Sequence, residues 1–148
     1  MLSQLEADRL IELVKSLVKN QQILLPSPGN KMQLDAQSHK NEKFIIDIRR
    51  GRVKISKASF QTRYKNSIPL IRLDVDGPDH PNPDGEIIPC PHIHIYREGA
   101  ELKWAYPLKI EGNKDFSDLR DLTQVLIDFL HYNNIDNIPT YIADSLFI

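Results

Sequence analysis

Short runs of strict apolar–polar alternation, framed by two stretches of helical periodicity, most constrain how this chain can fold. Phe44, Ile46 and Ile48 alternate with Ile45, Asp47 and Arg49. Side chains along a strand point alternately to opposite faces, so this run is a strand with one apolar face. Arg50-Gly51 reads as a tight turn in which Gly supplies a positive φ, with Val53 and Ile55 returning as the partner strand. Met32 to Ala36 suggests a short edge strand, and Phe60 to Tyr64 another strand. Pro69 to Val75 and His92 to Arg97 read as strands on either side of a long polar loop. Lys103 to Ile110 is a last strand, and Pro107 within it points to an edge or a bulge.

The helical stripes lie at the two ends. Leu5, Leu10, Ile11, Leu13, Val14, Leu17 and Val18 recur at helical spacing, predicting a helix from Ser3 to Asn20 with Ser3 and Glu6 as a capping box. Leu119, Leu122, Val125, Leu126, Phe129 and Leu130 predict a second helix from Asp118 to Asn133, capped by Ser117 or Asp118. The apolar tail from Ile138 to Ile148 is expected to pack back on the body. Together these give an α+β fold: a mainly antiparallel sheet of five to six strands bracketed by an N-terminal and a C-terminal helix, in a single domain over residues 1–148.

No apolar run reaches the length of a membrane span, and the N-terminal stretch lacks the apolar core of a signal peptide. The one cysteine, Cys90, excludes an internal disulfide and a cysteine-based zinc cage. The expected compartment is therefore the cytoplasm, with no membrane partner. A net charge of −1 argues against a protein that coats nucleic acid, but the charge is unevenly spread. Between Lys43 and Lys65 eight basic residues face a single acid, Asp47. Within that stretch Arg49, Arg50, Arg52, Lys54 and Lys57 are the candidate contacts to a phosphate backbone; a solvated sheet face is the plainer alternative.

The chemistry concentrates between Arg72 and Tyr96, which holds three of the five histidines. His92 and His94 are two apart on a strand, so they share a face, and Tyr96 extends their row. Arg72 and Asp74 form a matching row on the preceding strand. If these strands pair in register, the five residues share one patch. Two neighbouring imidazoles can serve as general base and general acid, Asp74 can fix a tautomer, and Arg72 offers a fork for phosphate or carboxylate. The same residues can instead hold a metal: His80, set near prolines in the loop, would join Asp74, His92 and His94 as ligands. The rest of that loop, including the NPDG run, reads as turn-forming. Cys90 reads as a packing thiol rather than a nucleophile.

Arg72-Leu-Asp74, Pro78-x-His80 and Pro91-His92-x-His94 resemble the TumE-type toxins of bacterial toxin–antitoxin pairs and related uncharacterised prophage proteins. The resemblance covers about residues 72–96. It departs from the family pattern at Val75, where an Asn is expected, and in the inserted NPDG. It implies a small bacterial or phage protein acting as an RNA-cutting toxin. Three functional expectations stand. One is a cofactor-free endoribonuclease with His92 and His94 as base and acid, Arg72 as charge stabiliser and Tyr96 as supporting donor. Another is a non-enzymatic protein that binds a host nucleoprotein. The Asp74/His80/His92/His94 metalloprotein is the third.

Overall fold

A computed structural model describes residues 1–147 and shows an α+β fold built on a seven-stranded, wholly antiparallel sheet. In chain order the elements are α1 (Gln4–Glu12), β1 (Lys15–Leu17), β2 (Ile23–Leu25), β3 (Lys31–Ser38), β4 (Lys43–Arg50), β5 (Ala58–Tyr64), β6 (Ile68–Asp74), β7 (His80–Pro81), β8 (Ile87–Ile88), β9 (His92–Ile95), β10 (Ala105–Pro107), α2 (Leu122–Tyr132) and β11 (Ile142–Asp144), followed by a 3₁₀ turn at Ser145–Phe147. The main sheet runs β1-β3-β4-β5-β6-β9-β10. β2 and β11 form a small parallel pair, and β7 and β8 a small antiparallel one. No helix among the described residues is long and apolar enough to cross a membrane.

The two faces of the main sheet differ as the alternation requires. Phe44, Ile46 and Ile48 on β4, Phe60 on β5, and Ile71 and Leu73 on β6 are buried in one apolar cluster with Ala7 and Leu10 of α1 and Val125, Leu126, Phe129 and Leu130 of α2. Phe60 and Phe129 meet with ring centroids 5.9 Å apart. Both helices therefore cover the apolar face. The opposite face carries Lys31, Gln33, Asp47, Arg49, Ser59, Gln61, Arg72, Asp74, His92 and His94 in cross-strand register.

Several local expectations are corrected. The N-terminal helix ends at Glu12, not Asn20, because Leu13 leaves the helical region at ψ 138° and Lys15 to Leu17 pair with β3. Lys15 is 1% exposed, and its ammonium donates to the carbonyls of Ile11, Leu13 and Asn133 at 2.9–3.1 Å. One cation thus satisfies carbonyls at the C-terminal ends of both helices, where the helix dipole favours positive charge. Ser3 does cap α1 by accepting from the Glu6 N–H, while the Glu6 side chain pairs with Arg9. The cap of α2 is Asp121, which accepts from the N–H groups of Thr123 and Gln124.

The expected 44–55 hairpin is half right. β4 pairs with β5, and residues 51–57 form a loop in which Val53 is 96% exposed. Gly51 does not adopt a positive φ; a Cβ there would lie 2.9 Å from the Lys54 carbonyl oxygen and 2.9 Å from the Lys57 Cβ, so close approach is what requires glycine. β3 is an eight-residue interior strand rather than a short edge. β10 is an edge strand ending at Pro107. The C-terminal tail does pack back, through β11 against β2 and the Arg50–Asp144 pair at 2.6 Å; Ile148 lies outside the described residues.

Candidate metal centre

Register places the site. β6 and β9 pair antiparallel with Arg72 opposite His94 and Asp74 opposite His92. Directly opposed residues share a sheet face, so two strands deliver a guanidinium, a carboxylate and two imidazoles to one patch. Asp74 Oδ2 lies 3.0 Å from His92 Nε2 and 3.1 Å from His94 Nε2. One ligand atom from each of these three residues falls within 4.8 Å of the others. His92 is 2% exposed and His94 0%.

The far sides of the rings are held by backbone oxygens. His94 Nδ1 lies 2.7 Å from the Leu102 carbonyl, and His92 Nδ1 lies 3.2 Å from the Pro89 carbonyl. Each imidazole is thus bracketed by oxygen acceptors at both nitrogens. A neutral imidazole has one N–H and one lone pair, so it cannot satisfy both. His94 meets this limit by donating from Nδ1 to Leu102 while its Nε2 accepts from the Arg72 guanidinium at 3.1 Å; His92 has no such donor, and a second proton or a cation on Nε2 would satisfy it. A ring whose Nδ1–H is anchored to a carbonyl while Nε2 faces a carboxylate is the usual outer arrangement of a metal-ligating histidine.

Arg72 is the counter-charge within reach. Its Nε lies 3.1 Å from Asp74 Oδ1, and its Nη2 lies 3.1 Å from His94 Nε2. Asp74 Oδ1 faces Arg72, while Oδ2 is shared between the two imidazoles and the Arg72 Nε and Nη2, each of these last two at 3.3 Å. Burial pushes the Asp74 carboxyl up, but the His94 hydrogen bond and the Arg72 charge outweigh it and hold it down at about 2, so the carboxylate is ionised and ready to ligate.

The other expected site residues are placed differently. His80 does not converge with the ligand set: its Nε2 donates to the Lys103 carbonyl at 2.8 Å, and its ring stands edge-on over His94 with centroids 4.7 Å apart. It covers the site rather than coordinating in it. Tyr96 lies just past the end of β9, is 2% exposed in the apolar cluster, and donates its hydroxyl to the Leu2 carbonyl at 2.8 Å. The sheet alternation that carries His92 and His94 does not extend to it. Among the basic residues Arg50 is sealed against Asp144 and the Pro26 carbonyl, and Lys54 pairs with Asp76. Arg49, Arg52 and Lys57 are exposed. Burial raises the Cys90 thiol to about 11, which disfavours a thiolate even though its sulfur lies 3.6 Å from His92 Nδ1.

Three contributors escaped the sequence reading. Asn82, only 7% exposed, donates to the Ala105 carbonyl and accepts from the Ala105 N–H, tying the 76–90 loop to β10. Its place in an NPDG turn suggested turn formation only. The Leu102 and Pro89 carbonyls act through the backbone, which no residue type announces.

What the fold and site define is an α+β protein with a buried two-histidine, one-carboxylate cluster on the open face of its sheet. The chain belongs to a family of unknown function, DUF6978, whose model matches residues 2–135. No curated protein and no solved structure matches it.

Proposed function

We propose that this is a metal-binding protein in which Asp74, His92 and His94 hold one divalent transition ion at the end of a polar groove. The convergence of one ligand atom each from Asp74, His92 and His94 within 4.8 Å of one another carries this reading. Nitrogen and carboxylate donors suit zinc or ferrous iron better than magnesium or calcium, which prefer oxygen ligands throughout. Three protein ligands leave a coordination position open, the pattern of reactive rather than structural sites. An ion held so would supply Lewis acidity. Arg72, whose Nε and Nη2 contact Asp74 and His94, supplies a positive charge beside the cluster that can attract an anionic group. The test is metal content after growth in zinc- or iron-supplemented medium. About one ion per chain is expected, with none in His94→Ala. Folded wild-type protein that takes up no ion under these conditions removes the reading.

A second reading keeps the toxin resemblance: metal-independent RNA cleavage by His92 and His94 with Arg72 stabilising charge. It is favoured by the Arg72 guanidinium standing 3.1 Å from His94 Nε2, where that nitrogen serves as an acceptor. RNA cleavage that persists in chelator and vanishes in His94→Ala would establish it over the metal reading. A pull-down that captures a stable host protein complex, without any cleavage, would support instead a non-enzymatic inhibitor.

A further inference from the structure

We infer that the groove leading to Asp74 and His92 binds a row of phosphate groups. The groove has a volume of about 710 Å³ and lies over the polar face of the main sheet and the loop around Gly77 to His80. Cross-strand register runs Lys31, Arg49, Ser59, Asp74 and His92 across five adjacent strands. At about 4.8 Å between strands, Arg49 stands roughly 10 Å and Lys31 roughly 14 Å from Asp74. A ligand that reaches from the cluster to these cations carries more than one anionic group.

The charges along this groove do not cancel. Arg50, Arg63 and Arg72 are matched by Asp144, Asp47 and Asp74. Asp76 is matched by Lys54 and accepts from the Ser56 hydroxyl at 2.6 Å. Among the described residues Lys31, Arg49 and Lys57 line the groove with no carboxylate in ion-pair reach, against Asp79 alone on the acidic side. Ser59 and Gln61 supply neutral donors on the floor between the cations and the cluster. Among the described residues no Phe, Tyr or Trp lines the groove. Spaced cations over a neutral hydrogen-bonding floor recognise phosphates rather than bases. The inference rests on the metal reading only for where the last phosphate ends; the cations stand apart from the ligand set.

Inorganic tripolyphosphate and a short single-stranded oligoribonucleotide, titrated calorimetrically into the zinc-loaded full-length chain, separate condensed phosphate from phosphodiester as the source. Binding of either probe is expected to weaken on the order of tenfold in Arg49→Glu and again in Lys57→Glu, with the salt slope falling by about one for each cation removed. Both residues are exposed, and Arg49→Gln provides a milder variant with a smaller loss. Metal content should stay at the wild-type level in all three. Neither probe binding, or binding indifferent to these substitutions, overturns the inference even if metal is bound. Polyglutamate binding as tightly as the phosphate probes overturns it too. Phosphate binding that depends on Arg49 in a protein that takes up no metal would sink the metal reading and leave this one standing.

Discussion

Two buried polar clusters lie on opposite sides of the main sheet, and they are built differently. On the helix side, Lys15 offers an ammonium with three hydrogens and meets three carbonyl oxygens. Donors and acceptors balance, and the cluster joins the ends of α1 and α2. On the open side, two ring nitrogens and a carboxylate oxygen point at one another while backbone carbonyls occupy the rings' far sides. Arg72 donates there to Asp74 and to His94 Nε2, yet three ligand-type atoms still converge within 4.8 Å. Both clusters are mostly hidden from water, so burial alone does not separate a structural polar group from a binding one. The convergence of ligand-type atoms on one point does.

The largest expected effect tests the structural cluster. Lys15→Met leaves three buried carbonyls without their donor and should cost about 3 kcal/mol in denaturant melts. Metal content per folded molecule should not change. Burial pushes the Lys15 ammonium down to about 8 from 10.5. A lowered folded value means that below pH 8 the charge is carried in both states, and the unfolded chain holds the extra proton between pH 8 and 10.5. Stability should therefore rise across that window in the wild type, and this limb should be missing from the variant. A wild-type curve that falls there would show that the three carbonyls favour the ammonium more than burial opposes it.

His94→Ala comes next. It should weaken zinc or iron binding by about a hundredfold or more, since losing even a partner that only orients a ligand costs about ten- to a hundredfold. Competition with a chromophoric chelator reads the change. An affinity within a few-fold of wild type would place His94 among structural histidines.

Acid titration of the metal-free protein gives a somewhat smaller effect. Asp74 sits at about 2 against an ordinary 3.8. Its contribution is fully present above the ordinary value and is lost as pH falls toward 2, about 2 kcal/mol in all. Asp74→Asn should flatten this part of the curve; an unchanged acid limb would show that the carboxylate is not engaged as described.

Asn82→Ala should have the smallest effect. It removes two bonds to Ala105 and loosens the loop that holds His80 over the site. A loss of about 1 kcal/mol in stability and up to tenfold in metal affinity is expected. Wild-type affinity would mean the loop covers the site without shaping it.

The alternation at Phe44–Ile48 and the helical stripes were readable because they are local periodicities enforced by one buried face. Their ends were not. The Leu13 to Val18 stretch carries apolar spacing suited to a helix, yet it serves β1, because pairing with β3 and burial of Lys15 reward extension more. Val53 and Ile55 mimic a return strand, but β4 already finds its partner in the longer, better buried Ala58–Tyr64. The Arg72/Asp74 and His92/His94 rows were legible for the same periodic reason. Tyr96 was not, because β9 ends before it and the chain turns its ring toward Leu2.

From the residues alone came the α+β class, the two apolar helical stripes and the separate rows Arg72/Asp74 and His92/His94, since each depends only on period and spacing along the chain. Tertiary structure decided the rest: which strands pair and so bring the two rows to one patch, which face the helices cover, and which atom of each imidazole faces Asp74. The carbonyls that orient those rings belong to Pro89 and Leu102, three residues before one histidine and eight after the other. A backbone oxygen is present at every position, so only the folded path determines which of them aims a ring.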